Sequence, residues 1–163
     1  MIQLFLVLHV LGAIAVFGPT FAFPLISRQA ASSPQNGHFA AVVMDLIERR
    51  IVIPGAIVQG ITGVALILLT GWYPNAGTYL WLSVSIILYL IAVLYAIFVQ
   101  APASEKMVRL TTGGPPAGAP PAGAPAGPPP EVAATAQRLA RGGMLLTVLI
   151  VLIVILMVTK PVL

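Results

Sequence analysis

The chain has 163 residues, of which 59% are hydrophobic and 7% charged, and it contains no cysteine. That balance lies far from a water-soluble globule, and the missing thiols exclude disulfides, thiolate metal sites and a Cys nucleophile. The net charge of +4 comes from eight Lys and Arg scattered over separate segments, which leaves no basic patch for nucleic acid.

A helix needs about 20 apolar residues to cross the hydrocarbon core of a bilayer, and four stretches meet that length. The first covers about residues 2–26 without a charge. It lacks a basic start, exceeds the apolar length of a secretory signal and is followed rather than preceded by Arg28, so it reads as an uncleaved helix. His9, Gly12, Ala13 and Thr20 share one stripe, and Pro19 predicts a bend just beyond them.

Residues 34–50 predict an interfacial helix. Ser33 caps it, Pro34 takes its first position, Phe39, Val42, Val43 and Leu46 recur at helical spacing, and Asp45 pairs with Arg49. The second span covers residues 51–71, with Gly55, Ala56, Gln59, Thr62, Gly63 and Thr70 on or near one stripe. The third covers 79–99, where Ser85, Tyr89, Ala92 and Ala96 continue to Gln100. Residues 113–130 read GGPPAGAPPAGAPAGPPP, a low-complexity linker expected to be disordered or partly polyproline II. A lead-in over 131–141, with Gly142 and Gly143 as a bend, opens the fourth span at 143–160. The expectation is an all-α polytopic protein with four transmembrane helices in one bundle, forming a single membrane domain over 1–163.

Seven of the eight basic residues, Arg28, Arg49, Arg50, Lys106, Arg109, Arg138 and Arg141, belong to the two long connections. The positive-inside rule makes those loops cytoplasmic and both termini outer in a multi-pass cell-membrane protein. Trp72, Tyr73, Tyr79 and Trp81 then gather at the outer interface, where aromatic rings anchor.

Helices in lipid associate through small and polar residues. Spans one to three carry such stripes and the fourth does not, so the expected core is helices one to three, with the fourth peripheral or against a partner subunit. His9 is the one ionisable side chain deep in a span. Its depth suggests Thr62, Ser85 and Tyr89 as neighbours, and Gln59 completes a candidate polar interior. A neutral imidazole there is either a structural hydrogen-bonding group or an axial ligand to haem or another tetrapyrrole, with Gly12 and Ala13 leaving room for a flat ring. No acid or base accompanies it to continue a proton relay, no Met pair supports copper, and Ser83 and Ser85 lack an activating base. No catalytic or metal-binding set is predicted.

Leu8, His9 and Gly12, then Pro54 and Gly55 opening the second span and Thr62 and Gly63 inside it, resemble a bacterial family of small four-helix integral membrane proteins of unknown function. That family is distantly similar to the copper-resistance protein D membrane domain and to membrane protoporphyrinogen oxidase. The resemblance implies haem or porphyrin contact at His9, although the chain lacks the intramembrane Arg or Lys of the oxidase pattern. Three functional readings follow: a non-catalytic binding or accessory subunit, with other membrane subunits or a homo-oligomer as partners; a tetrapyrrole-binding redox protein using His9; and a small oligomeric transporter.

Overall fold

The structure is a computed structural model that describes residues 1–32, 34–74, 79–113 and 127–161. The expected cap Ser33 and the core of the proline-rich linker, residues 114–126, lie outside the described residues. Among the described residues the regular structure is helical. Four helices are long and apolar enough to cross a membrane: α1 (Ile2–Ser32), α2 (Gly37–Thr70), α3 (Leu80–Thr111) and α4 (Pro130–Thr159).

Each contains 30 to 34 residues, about 45–50 Å at ~1.5 Å per residue, against a hydrocarbon core of about 30 Å. The surplus extends toward one end. There α2 gains residues 37–50, α3 gains 100–111 and α4 gains 130–142, and these extensions carry most of the basic side chains. The expected interfacial helix and the second span are therefore one continuous helix, and the third span continues well past residue 99.

Internal prolines, Pro19 and Pro24 in α1, Pro54 in α2 and Pro102 in α3, explain the irregular turns that this continuity requires. A proline inside a helix removes an N–H and pushes its ring against the carbonyl four residues back. In α2 the turn before Pro54 widens into a π turn over Glu48–Val52, closed by the Ile53 N–H bonding to the Glu48 carbonyl. The turn before Pro102 in α3 widens in the same way over Ala96–Gln100, with the Ala101 N–H on the Ala96 carbonyl. In α1 the chain tightens instead, into a 3-10 turn over Gly18–Ala22 that contains Pro19 and precedes Pro24. The disturbance expected at Pro19 thus takes the form of a local tightening.

Packing follows the small residues. On α2, Gly55 lies against Val16 of α1, Gln59 against Gly12, and Gly63 against His9. A β-carbon on Gly55 would come within 3.2 Å of the Val16 Cβ, so only glycine lets the two backbones approach this closely. One step around α2, Ala56 and Gly60 face α3, where the Tyr89 ring covers Gly60. Two adjacent stripes on α2 therefore face two different helices.

The fourth helix is not peripheral. It packs along the length of α3, and Gly142 sits directly against the Gln100 and Tyr95 side chains. The contact residue stands just outside the aliphatic run, in the segment expected only to bend. The faces of α1 and α4 leave a wholly apolar groove lined by Ala13, Phe17, Phe21, Val151 and Ile155.

Candidate functional site

The polar side chains of the span interior lie on two faces of α2, one toward α1 and one toward α3. His9 Nδ1 lies 2.8 Å from the Thr62 hydroxyl, and that hydroxyl lies 3.0 Å from the carbonyl of Gln59. A hydroxyl has one hydrogen to give. With it directed to the Gln59 carbonyl, the neutral imidazole carries its proton on Nδ1 and donates to Thr62, an assignment made from the hydrogen-bond network. Nε2 then keeps its lone pair. Gln59, 7% exposed, donates from Nε2 to the His9 carbonyl at 2.9 Å, so α1 and α2 are tied twice at one level.

Tyr89 donates its hydroxyl to the Ala56 carbonyl of α2. Ser85, fully buried, returns its hydroxyl to the Trp81 carbonyl of its own helix at 2.7 Å. Of the neighbours expected for His9, Thr62 is bonded to it, whereas Tyr89 and Ser85 make their bonds elsewhere.

Gly12 and Ala13 face different neighbours. A β-carbon on Gly12 would stand 2.9 Å from the Gln59 Oε1, so Gln59 fills that side. Ala13 faces the groove toward α4. His9 and Gly12 thus lie at the α1–α2 interface, and Ala13 at the groove toward α4.

At one end of the bundle Trp72 stacks with Tyr79 at a 6.3 Å centroid separation and meets Trp81 edge-on at 5.9 Å. The Lys160 ammonium lies 4.4 Å from the Trp72 ring centre. This cation–π contact ties the end of α4 to the aromatic cluster.

At the opposite end Arg49 bonds Asp45 at 3.0 Å, the Ala101 carbonyl at 3.0 Å and Glu105 at 2.8 Å, joining α2 to α3. Lys106 pairs with Glu131 at 2.8 Å and joins α3 to α4. His38 Nδ1 lies 3.2 Å from the Thr111 hydroxyl.

Two features escape a reading by hydropathy. Glu48, at the start of the widened turn before Pro54, follows a stretch of apparent surface helix yet is only 5% exposed. Gln100, 8% exposed, donates to the Leu139 carbonyl of α4 at 3.2 Å and so marks the α3–α4 contact. The signals were Pro54 and Pro102 inside otherwise uninterrupted helical patterns.

No curated protein and no solved structure matches the chain, so no matched protein stands behind the resemblance to copper-resistance protein D or to protoporphyrinogen oxidase. Residues 3–161 match the family described as "Predicted integral membrane protein (DUF2269)", which agrees with four apolar helices of membrane-spanning length. The match runs nearly from end to end, and the chain belongs to the DUF2269 family of predicted integral membrane proteins.

Proposed function

We propose that this protein is a non-catalytic membrane subunit that acts by binding within a larger complex, with its long loops on the cytoplasmic side and both termini outside. One observation carries the reading. His9, Gln59, Thr62, Ser85 and Tyr89 all bond to another helix or to their own backbone. An interior whose polar groups are occupied in this way joins helices and offers little for a reaction or a substrate path.

The orientation is supported by the seven basic residues at the end where Arg49 and Lys106 link the helices, opposite the aromatic cluster. Light scattering on protein extracted from its native membrane in a mild detergent tests the subunit reading. An assembly heavier than the 17.0 kDa chain is expected, and a colourless monomer without a partner overturns it. Tags inserted between residues 113 and 130 test the orientation, which fails if they are reached from outside intact cells.

A second reading, tetrapyrrole binding through His9, draws on the Nε2 lone pair left by the Thr62 and Gln59 bonds. It requires a ring placed away from Gly12. A visible absorption band of the purified protein that disappears in His9→Ala would favour it, and a spectrum without such a band would remove it.

A further inference from the structure

Beyond the helix joints, the bundle has a cleft between the extensions of α3 and α4 whose chemistry the subunit reading does not use. Its floor contains Phe98, Val99 and Pro102, and its rim carries Lys106, Arg109 and Arg138 with Glu131 as the one acidic lining residue. Among the lining residues three cations face one anion. Glu131 is engaged by Lys106, and Arg109 pairs with Glu105, which also holds Arg49. Arg138 has no hydrogen-bond or ion-pair partner among the described residues.

The floor and the rim lie at different depths. Phe98 is in the last turn of the third apolar run, and the residue is 71% exposed toward whatever surrounds the bundle. Lys106 stands eight residues further along the same helix, about 12 Å beyond it at ~1.5 Å per residue. In a bilayer that separation carries the cleft from the edge of the hydrocarbon into the headgroup layer, which is about 5–8 Å deep. A soluble anion would use the rim and leave the aromatic floor bare. An amphiphile with a negative head uses both.

We propose that this cleft binds an anionic phospholipid, with Lys106, Arg109 and Arg138 around the phosphate-bearing headgroup and Phe98 against the first methylenes of the acyl chain. Basic clefts between helix ends on the positively charged side suit such headgroups because the phosphate is neutralised at a depth where its chains remain in lipid. The helices that form the cleft are separated in sequence by the proline-rich linker, so the site exists only in the folded bundle.

The test uses the full chain in nanodiscs of phosphatidylcholine containing increasing phosphatidylglycerol, with retained lipids counted by native mass spectrometry after release. Preferential retention of phosphatidylglycerol is expected. Arg138→Gln should weaken that preference about tenfold, the effect of losing one charge-assisted hydrogen bond to the phosphate. This variant breaks no ion pair among the described residues, and unchanged helicity confirms that it folds. Arg28→Gln removes an arginine that likewise has no partner among the described residues, at the same end but outside the cleft, and it should leave retention unchanged within about twofold. Equal loss in both variants would make the effect general surface charge and overturn the proposal. So would equal retention of the two lipids, or complete displacement by millimolar inorganic phosphate, which would identify a soluble-anion site.

Discussion

Gly142 and Gly143 are neighbours on α4, and the packing assigns them opposite roles. A methyl group on Gly142 would collide with the Gln100 amide and stand 2.8 Å from the Tyr95 hydroxyl, whereas a methyl on Gly143 meets nothing within 4 Å. For Gly142→Ala, the Gln100 side chain must swing away and give up its 3.2 Å bond to the Leu139 carbonyl. Overpacking of this kind costs about 1–3 kcal/mol, and an interhelical hydrogen bond in a membrane adds about 0.6 kcal/mol. The better helix propensity of alanine returns up to about 1 kcal/mol. The net expectation is a loss of about 1–2 kcal/mol at residue 142 and a neutral to slightly stabilising change at residue 143. A difference of about 2 kcal/mol is roughly a 30-fold change in the unfolding equilibrium. Unfolding by sodium dodecyl sulfate in mixed micelles, followed by far-UV circular dichroism, measures it. If the two variants agree within about 0.5 kcal/mol, the placement of α4 against Gln100 and Tyr95 is refuted.

Other interfaces give further expectations. Gly55→Ala should destabilise the bundle by about 1–3 kcal/mol through its clash with Val16, in the same unfolding assay, and full stability would contradict the close approach of α1 and α2. Nitrogen NMR of labelled histidine should find the neutral His9 ring protonated at Nδ1, and Thr62→Val should remove that preference; an Nε2-protonated ring would reverse the hydrogen-bond assignment. Lys160→Gln should shift and relieve quenching of the tryptophan emission at a stability cost of about 0.5–1 kcal/mol, and an unaltered spectrum would place Lys160 away from Trp72.

Much of the bundle is legible from hydropathy because a membrane span must satisfy its backbone internally and present an apolar exterior for about 20 residues. The α1–α2 contact was also legible, since Gly55, Gln59 and Gly63 recur every four residues and fall on one face. The extensions of α2 and α3 were not. Pro54 reads as the opening of the second span and the third span reads as ending at residue 99, before Pro102, because a proline alone does not tell a helix boundary from a widened turn inside a continuous helix. The partner of α4 was hidden for a different reason: the side chains that meet Gly142 come from α3, and a stripe of small residues names a close approach without naming what approaches. The candidate site shows the same division. Depth along the helices brought His9 and Thr62 together, but rotation about the helix axes sends Tyr89 to Ala56 and Ser85 back to Trp81. Placing Gly12 and Ala13 beside a macrocycle required knowing which helix each residue faces, and the two face different ones.

The central claim is that this bundle works by association within the membrane. The absence of native cysteine makes a direct measurement available without altering the background. Single cysteines placed at Val154 on α4 and at Ile14 on α1, which are 51% and 64% exposed, flank the apolar groove. Crosslinking each in native membranes should yield a discrete adduct larger than the single chain, with a partner subunit or a second copy. If both positions, and cysteines at comparably exposed sites on α2 and α3, give only the uncrosslinked chain, the protein acts alone and the claim is contradicted.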